Sequence, residues 1–162
     1  IFFFFSDGFA YAGEALVGKF IGSNDRNNLF KSIRLLLMWG FSISIPFTIL
    51  YALFPSTFVK IISDNPNILT EIKPYYIYMI IIPLITFAAF IWDGIYIGAT
   101  ASKAIRNTMI ISSIFIFLPA WYFLVPRFEN HGLWIACLCF MIARGVAMTF
   151  MAKRNIIQSI KN

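Results

Sequence analysis

The sequence predicts an all-α integral membrane protein, and three observations support this prediction. The 162 residues are 60% hydrophobic and 19% aromatic, and 12% of them are charged. Soluble domains are about a quarter charged, so this chain has too little polar surface to cover a soluble fold. The apolar residues also form long runs between short polar connections, and a membrane-spanning helix needs about 20 such residues.

Five candidate spans follow one another along the chain. The first begins at Ile1 and ends near Gly22, and Pro55 closes the second because proline interrupts helical hydrogen bonding. The connections between the spans are short and polar and contain no soluble domain. The predicted spans are 1–22, 29–54, 74–101, 108–125 and 132–152.

The basic residues predict how these spans cross the membrane. Nine of the thirteen Lys and Arg residues fall on one side of the alternating connections and three on the other, with Arg144 inside the fifth span. Cytoplasmic loops are enriched in Lys and Arg, so the richer side, which includes the C-terminus, should be cytoplasmic. The first span then runs inward, and an odd number of spans is expected upstream if the complete protein starts in the cytoplasm. Because these residues lie in short gaps between apolar runs, they predict contact with a lipid bilayer and no nucleic-acid partner.

Four ionisable residues fall inside the predicted spans: Asp7, Glu14, Asp93 and Arg144. A charge at the centre of a spanning helix costs about 2.5–3.5 kcal/mol on insertion scales, so such residues usually mark a functional site. Asp7 and Glu14 are seven residues apart and share a helix face, about 10 Å apart along the axis. Glu14 and Asp93 each lie eight residues before the end of an inward-running span, which predicts similar depths.

Two interpretations of these charges stay open on the sequence. Arg144 could neutralise Glu14 or Asp93 and simply hold helices together. Three acids against one arginine nevertheless leave at least one acid without a guanidinium, and a buried acid of this kind can bind a proton or a small cation. We therefore predict Asp93, Glu14 and Asp7 as coupling residues for H⁺ or Na⁺, with Arg144 as the charge partner.

Other residues suggest a transport pathway and no catalytic site. Pro83 should kink the third span ten residues before Asp93. Tyr11, Phe90 and Tyr96 are candidate cavity aromatics for flat cationic compounds. The sequence has no phosphate loop, nucleophile–base pair or metal-ligand cluster, so we expect no enzyme and no cofactor beyond the coupling ion.

Three segments resemble the MATE multidrug exporters of the DinF-like branch. "DGFAYAGEALVGKFIGSND" (7–25) resembles the eighth helix and following loop of these proteins, and "WDGIYIGATASKAIRNTM" (92–109) resembles the tenth. "HGLWIACLCFMIARG" (131–145) resembles the twelfth helix. The resemblance covers nearly all of residues 1–162, in order.

The resemblance implies a twelve-helix exporter of two six-helix lobes, of which residues 1–162 form part of the C-terminal lobe. It implies export of amphipathic or cationic small molecules across the bacterial inner membrane, in exchange for Na⁺ or H⁺, by a site shared with the N-terminal lobe. Asp93 matches an acidic position that the NorM branch uses in cation coupling. The coupling acids on the seventh and first helices of the family would lie before Ile1.

Two other functions are compatible with five apolar spans. One is a lipid-linked sugar flippase of the same superfamily, although such proteins use basic cavity residues and this chain places three acids and one arginine in its spans. The other is a non-transporting membrane scaffold subunit that assembles with a partner chain. An acidic cavity favours cationic cargo over an anionic lipid pyrophosphate.

Overall fold

The computed structural model describes residues 2–63 and 65–161, and these residues are almost entirely helical. The prediction of an all-α protein is confirmed. Ile1, where the first span was predicted to begin, lies outside the described residues, as do Asp64 and Asn162. The elements are α1 (Phe2–Gly22), α2 (Arg26–Leu53), α3 (Pro55–Ile62), α4 (Pro66–Glu71), a 3-10 turn (Lys73–Tyr75), α5 (Tyr76–Gly98), α6 (Ser102–Ser112), a π-helical segment (Ser113–Phe117) and α7 (Leu118–Lys161).

Local chemistry sets the ends of the first helices. Asp25 caps α2, since its carboxylate accepts a hydrogen bond from the backbone N–H of Asn28 at 3.1 Å. That hydrogen bond and one from the Asn28 side chain lower the pKa of the Asp25 carboxyl. Pro55 ends the second predicted span, as expected, and opens α3, because the first turn of a helix does not need its N–H.

The polar residues 102–107, between the third and fourth predicted spans, are helical in the structure and form the first turns of α6. Lys, Ala and Arg in this stretch are good helix formers, so a polar sequence here does not break the helix. The turn before it is made by Thr100, whose φ is 55°. Its neighbour Ala101 donates its N–H to the carbonyl of Tyr96, which closes the end of α5 in a C-terminal capping motif.

The long helix α7 folds back on itself. Glu129 has non-helical angles (φ 49°, ψ −125°), and it divides α7 into a first arm, 118–128, and a second arm, 130–161. The rings of Phe117 and Phe140 lie 6.3 Å apart, whereas a straight helix would place them about 35 Å apart. The chain therefore reverses at Glu129, near the connection that the sequence predicted between the fourth and fifth spans.

Helix α5 is the central element, since α1, α2 and α7 all pack on it. Ala10 faces Gly94 and Glu14 faces Gly98, so α1 and α5 run in the same direction. The second arm of α7 is also parallel to α5, because the contacts advance from Tyr78 with His131 to Tyr96 with Met148. Helix α2 is antiparallel to α1: Phe2 lies against Tyr51 near its end and Gly13 lies near Leu36.

The core lies where α1, α2 and the second arm of α7 meet the C-terminal half of α5. It contains apolar side chains with almost no exposure, among them Val17, Leu29, Ile91, Ile95 and Met148. Many large apolar side chains on the outside of the bundle are exposed, including Phe4, Ile62 and Phe150. Such a surface fits a lipid environment and would be a liability in water.

Three helical stretches of the described chain are long and apolar enough to cross a membrane: Arg26–Leu53, Lys73–Gly98 and Ser102–Ala152. The last of these contains the reversal at Glu129 and so holds two antiparallel arms. Helix α1 carries Asp7, Glu14 and Lys19 and is not among the three. The integral membrane fold is thus supported, while the number of five spans stays a prediction.

Candidate functional site

An ion pair joins the central helix to the last one. Nη2 of Arg144 donates to both carboxylate oxygens of Asp93, at 2.5 and 2.6 Å. The arginine side chain is 8% exposed and the aspartate side chain 23%, so the pair lies largely inside the bundle. The sequence left two partners open for Arg144, and the structure pairs it with Asp93 and not with Glu14.

Nε of Arg144 is buried and has no hydrogen-bond partner among the described residues. The guanidinium therefore uses one nitrogen for Asp93 and does not form the two-nitrogen fork that is typical of arginine and carboxylate. The positive charge of the Arg144 guanidinium lies beside the Asp93 carboxylate and compensates its negative charge.

Two neutral hydrogen bonds support the ion pair. The indole Nε1 of Trp92 donates to Oγ1 of Thr149, and the hydroxyl of Tyr96 donates to the carbonyl of Met148, each at 2.8 Å. These bonds fix α5 against the second arm of α7 on both sides of Asp93. Sequence reasoning missed both bonds, although the positions 92, 93 and 96 share one helix face and could have suggested a common partner helix.

Asp7 and Glu14 differ from Asp93 because they have no ion pair or hydrogen bond within the described part of the chain. Both side chains are half-buried on α1. In addition, no three His, Cys, Asp or Glu side chains of the described residues come together as a group that could hold a metal ion. The three predicted coupling acids thus separate into one paired acid on α5 and two unpaired acids on α1.

The glycine contacts between α1 and α5 correct the predicted depths of these acids. Gly94 lies against the backbone of Ala10, and Gly98 against the backbone of Glu14, so residues of α5 are level with residues 84 positions earlier on α1. Asp93 is therefore level with Phe9, two residues from Asp7 and five from Glu14. At 1.5 Å per residue, Asp93 lies about 3 Å from the level of Asp7 and about 7–8 Å from that of Glu14.

The prediction placed Glu14 and Asp93 at similar depths, whereas the helix contacts separate their levels by about 7–8 Å. It assumed that both helices end at the same level. In the structure α5 ends at Gly98, three residues before the predicted end of its span, while α1 reaches Gly22.

The three predicted cavity aromatics have different environments. Tyr11 is 71% exposed on the outside of α1, and Phe90 is half-buried with its ring 5.3 Å from that of Phe3. Tyr96 is fully buried in the core, so the prediction that it lines a cavity is wrong. Its hydroxyl bonds to Met148 instead, because a buried phenol needs an internal partner.

Pro83 is buried inside α5, as the sequence placed it. Helix α5 continues through this proline from Tyr76 to Gly98. Proline removes one backbone hydrogen bond from the helix, and the predicted kink at this position stays a prediction.

A second group of polar and aromatic side chains lies at the other end of α5. The hydroxyl of Tyr78 is 3.0 Å from Nδ1 of His131, and the ring of Tyr75 is 4.7 Å from the imidazole. The indole of Trp134 is nearly parallel to the ring of Tyr78, at 5.7 Å. The sequence did not predict this cluster around His131.

Comparisons with known proteins show which sequences this chain resembles. The sequence model of the MatE family matches residues 1–122. The chain is 28% identical over 149 residues to "DNA damage-inducible protein F" of Escherichia coli (strain K12), a match that covers 92% of this chain and 32% of the relative. The chain thus spans about a third of the length of the curated relative that it matches. No solved structure matches the chain significantly.

Proposed function

This chain belongs to the MatE family, whose members are membrane transporters, and we propose that it forms part of the C-terminal lobe of a secondary active exporter. The proposed cargo is an amphipathic or cationic small molecule, exported in exchange for H⁺ or Na⁺. The complete protein would include an N-terminal lobe, with the substrate between the lobes. The proposed setting is the bacterial inner membrane, with the C-terminus of this chain in the cytoplasm.

The observation that carries the proposal is the pair of uncompensated acids on α1. Asp7 and Glu14 are half-buried in an apolar helix and have no partner among the described residues. Uncompensated carboxylates are costly within a membrane, and they are typical of proton and cation pathways. In this proposal the coupling ion binds at Asp7 or Glu14 and removes that cost in one of two conformations of the transporter.

The close contact between α1 and α5 provides a route from the acids to the rest of the lobe. The backbone of Glu14 lies directly on Gly98, and Ala10 lies on Gly94, so a displacement of α1 must move α5 or separate the two helices. The Asp93–Arg144 pair then links α5 to the second arm of α7. In this scheme Asp93 maintains the helix packing, and Asp7 and Glu14 bind the coupling ion.

The test measures ethidium efflux by the full-length protein in a host that lacks its own drug pumps. We expect Asp7→Asn combined with Glu14→Gln to reduce efflux about tenfold or more, whereas the exposed Glu129→Gln should leave it unchanged. Everted vesicles with an imposed pH or Na⁺ gradient identify the ion. If the double variant exports and couples like the wild type, α1 has no coupling role.

The same experiment separates the two rival functions. A flippase for lipid pyrophosphates needs a free basic group in its cavity, but Arg144 is occupied by Asp93 in the structure. If the protein is a non-transporting scaffold subunit, the full-length protein should export no ethidium at any pH or Na⁺ gradient. Efflux that depends on Asp7 and Glu14 would contradict both rivals.

A further inference from the structure

A small recess lies at the end of the bundle that the charge distribution predicts to face outward. It has a volume of about 230 Å³ and opens between α4 and the start of the second arm of α7. We call it the outer recess and define it by its lining residues: Ile68, Glu71, Ile72, Tyr75, Asn130 and Trp134. None of these residues belongs to the set of acids on α1 and α5 that is described above.

The lining of the outer recess combines a carboxylate with two aromatic rings. Glu71 is exposed and forms no ion pair or hydrogen bond within the described residues, even with Lys73 two positions away. Tyr75 and Trp134 supply the rings. A carboxylate beside aromatic faces is the chemistry that recognises organic ammonium ions, through charge attraction and cation–π contacts.

The rings are held in place before any ligand arrives. Tyr78 stacks on Trp134, and its hydroxyl bonds to His131, which in turn packs against Tyr75. Fixed aromatic side chains lose little conformational entropy on binding, so a recess of this kind binds more tightly than one built from mobile side chains. Holding the two rings of the recess in place gives a function to the cluster of Tyr75, Tyr78, His131 and Trp134, which has no part in the proposed ion binding on α1.

Size and charge restrict the ligand. Pockets for whole drug-sized molecules measure about 300–1,000 Å³, so the outer recess admits a charged head group and leaves an apolar body outside. The two predicted outer connections, 62–73 and 126–131, carry two basic residues, Lys73 and Arg127, against the three acids Asp64, Glu71 and Glu129, so their net charge does not repel a cation. The predicted cytoplasmic connections, by contrast, are strongly basic.

We propose that the outer recess binds the ammonium head group of organic cations on the outer side of the membrane, with Glu71 as the counter-ion and Tyr75 and Trp134 as the ring contacts. The proposal rests on the proposed export of organic cations. It adds a peripheral site at which a cation is held after or before it passes between the lobes.

The test uses the full-length protein in intact cells, with Cys137→Ser and Cys139→Ser and a reporter cysteine at the recess, Asn130→Cys. A membrane-impermeant maleimide labels the reporter from outside, and phenyltrimethylammonium is the probe cation. At ten times its dissociation constant the probe occupies about nine-tenths of the sites, so labelling should slow about tenfold. Ile68→Cys, on the opposite wall, serves as a second reporter in case Asn130→Cys does not fold.

Three variants identify the groups that bind the probe. Glu71→Gln should raise the probe concentration needed for protection about tenfold, and Trp134→Leu should do so by a similar factor, while Trp134→Phe keeps most of the protection. Glu129→Gln, which removes a carboxylate outside the recess, is the matched control. In this variant the probe should protect the reporter cysteine at the same concentration as in the parent protein.

The outcomes separate this proposal from the transport function. The proposed binding site is overturned if the probe does not change the labelling rate, or if the probe protects Glu71→Gln as well as it protects the parent protein. Either result counts against the site even if ethidium efflux is intact. Reporters that the impermeant maleimide cannot reach overturn its outward opening. Protection that depends on Glu71 supports the recess even if Asp7 and Glu14 prove unnecessary for efflux.

Discussion

Arg144 binds both carboxylate oxygens of Asp93 through one nitrogen, Nη2, and its buried Nε has no partner in the described part of the chain. A carboxylate that already holds a guanidinium is a poor site for a second cation, because the incoming ion must compete with the fixed one. The pair therefore ties α5 to α7, and the uncompensated acids are on α1.

The ion pair predicts a specific result for variants of its two members. Asp93→Asn or Arg144→Gln alone should destabilise the full-length protein by about 3 kcal/mol, because each leaves a largely buried charge without its partner. The double variant should be more stable than the sum of the two losses predicts. The measurement is the apparent melting temperature of purified protein in detergent. Strictly additive losses would show that the two side chains do not interact.

The close contact between Gly94 on α5 and the backbone of α1 predicts that an alanine at residue 94 lowers stability, whereas an alanine at Gly8 on α1 does not. A Cβ at residue 94 would collide with the backbone of Ala10, which cannot move aside as a side chain can. Gly94→Ala should therefore cost about 1–3 kcal/mol. Nothing lies within 4 Å of a Cβ at Gly8, so Gly8→Ala should be neutral or gain up to about 1 kcal/mol. Thermal unfolding of the two variants tests the contact, and equal effects would contradict it.

Tyr96 should affect stability and leave substrate range unchanged. Tyr96→Phe removes the hydrogen bond to the Met148 carbonyl and should cost about 1 kcal/mol. Because the ring is fully buried, the relative resistance of expressing cells to several cationic drugs should match that of the wild type. A changed drug profile at normal protein levels would restore Tyr96 to the substrate pathway.

Asp25 predicts a pH effect at the start of α2. Its pKa is lowered from 3.8 by the hydrogen bonds from Asn28, so its contribution to stability is present above the ordinary pKa and is lost as pH falls through the lowered one. Asp25→Asn keeps the helix cap, so its melting temperature should fall less than that of the wild type as the pH drops below 3.8. Asp25→Ala removes the cap and should also be less stable at neutral pH. Melting temperatures between about pH 3 and pH 7 distinguish the two.

The sequence by itself determined the membrane character, the helical class and the family resemblance of this chain. Long apolar runs that cross a membrane favour helices, because a helix satisfies the backbone N–H and C=O groups within its own segment. The in-span acids and Arg144 were also found from sequence, because a charge in such a run is conspicuous. The reversal at Glu129 falls inside the connection predicted between the fourth and fifth spans. Helix α6 begins at Ser102, six residues before the predicted fourth span, because polar residues such as Lys103 are compatible with a helix.

Tertiary structure decided the partners. The sequence could not choose between Glu14 and Asp93 for Arg144, because that choice depends on how α1 and the second arm of α7 are placed around α5. The close approach at Gly94 and Gly98 sets the relative depths of the acids, and it depends on helix packing rather than on span length. The outer recess is a still clearer case: Glu71, Tyr75 and Trp134 come from separate elements, and their common chemistry exists only after the helices have assembled.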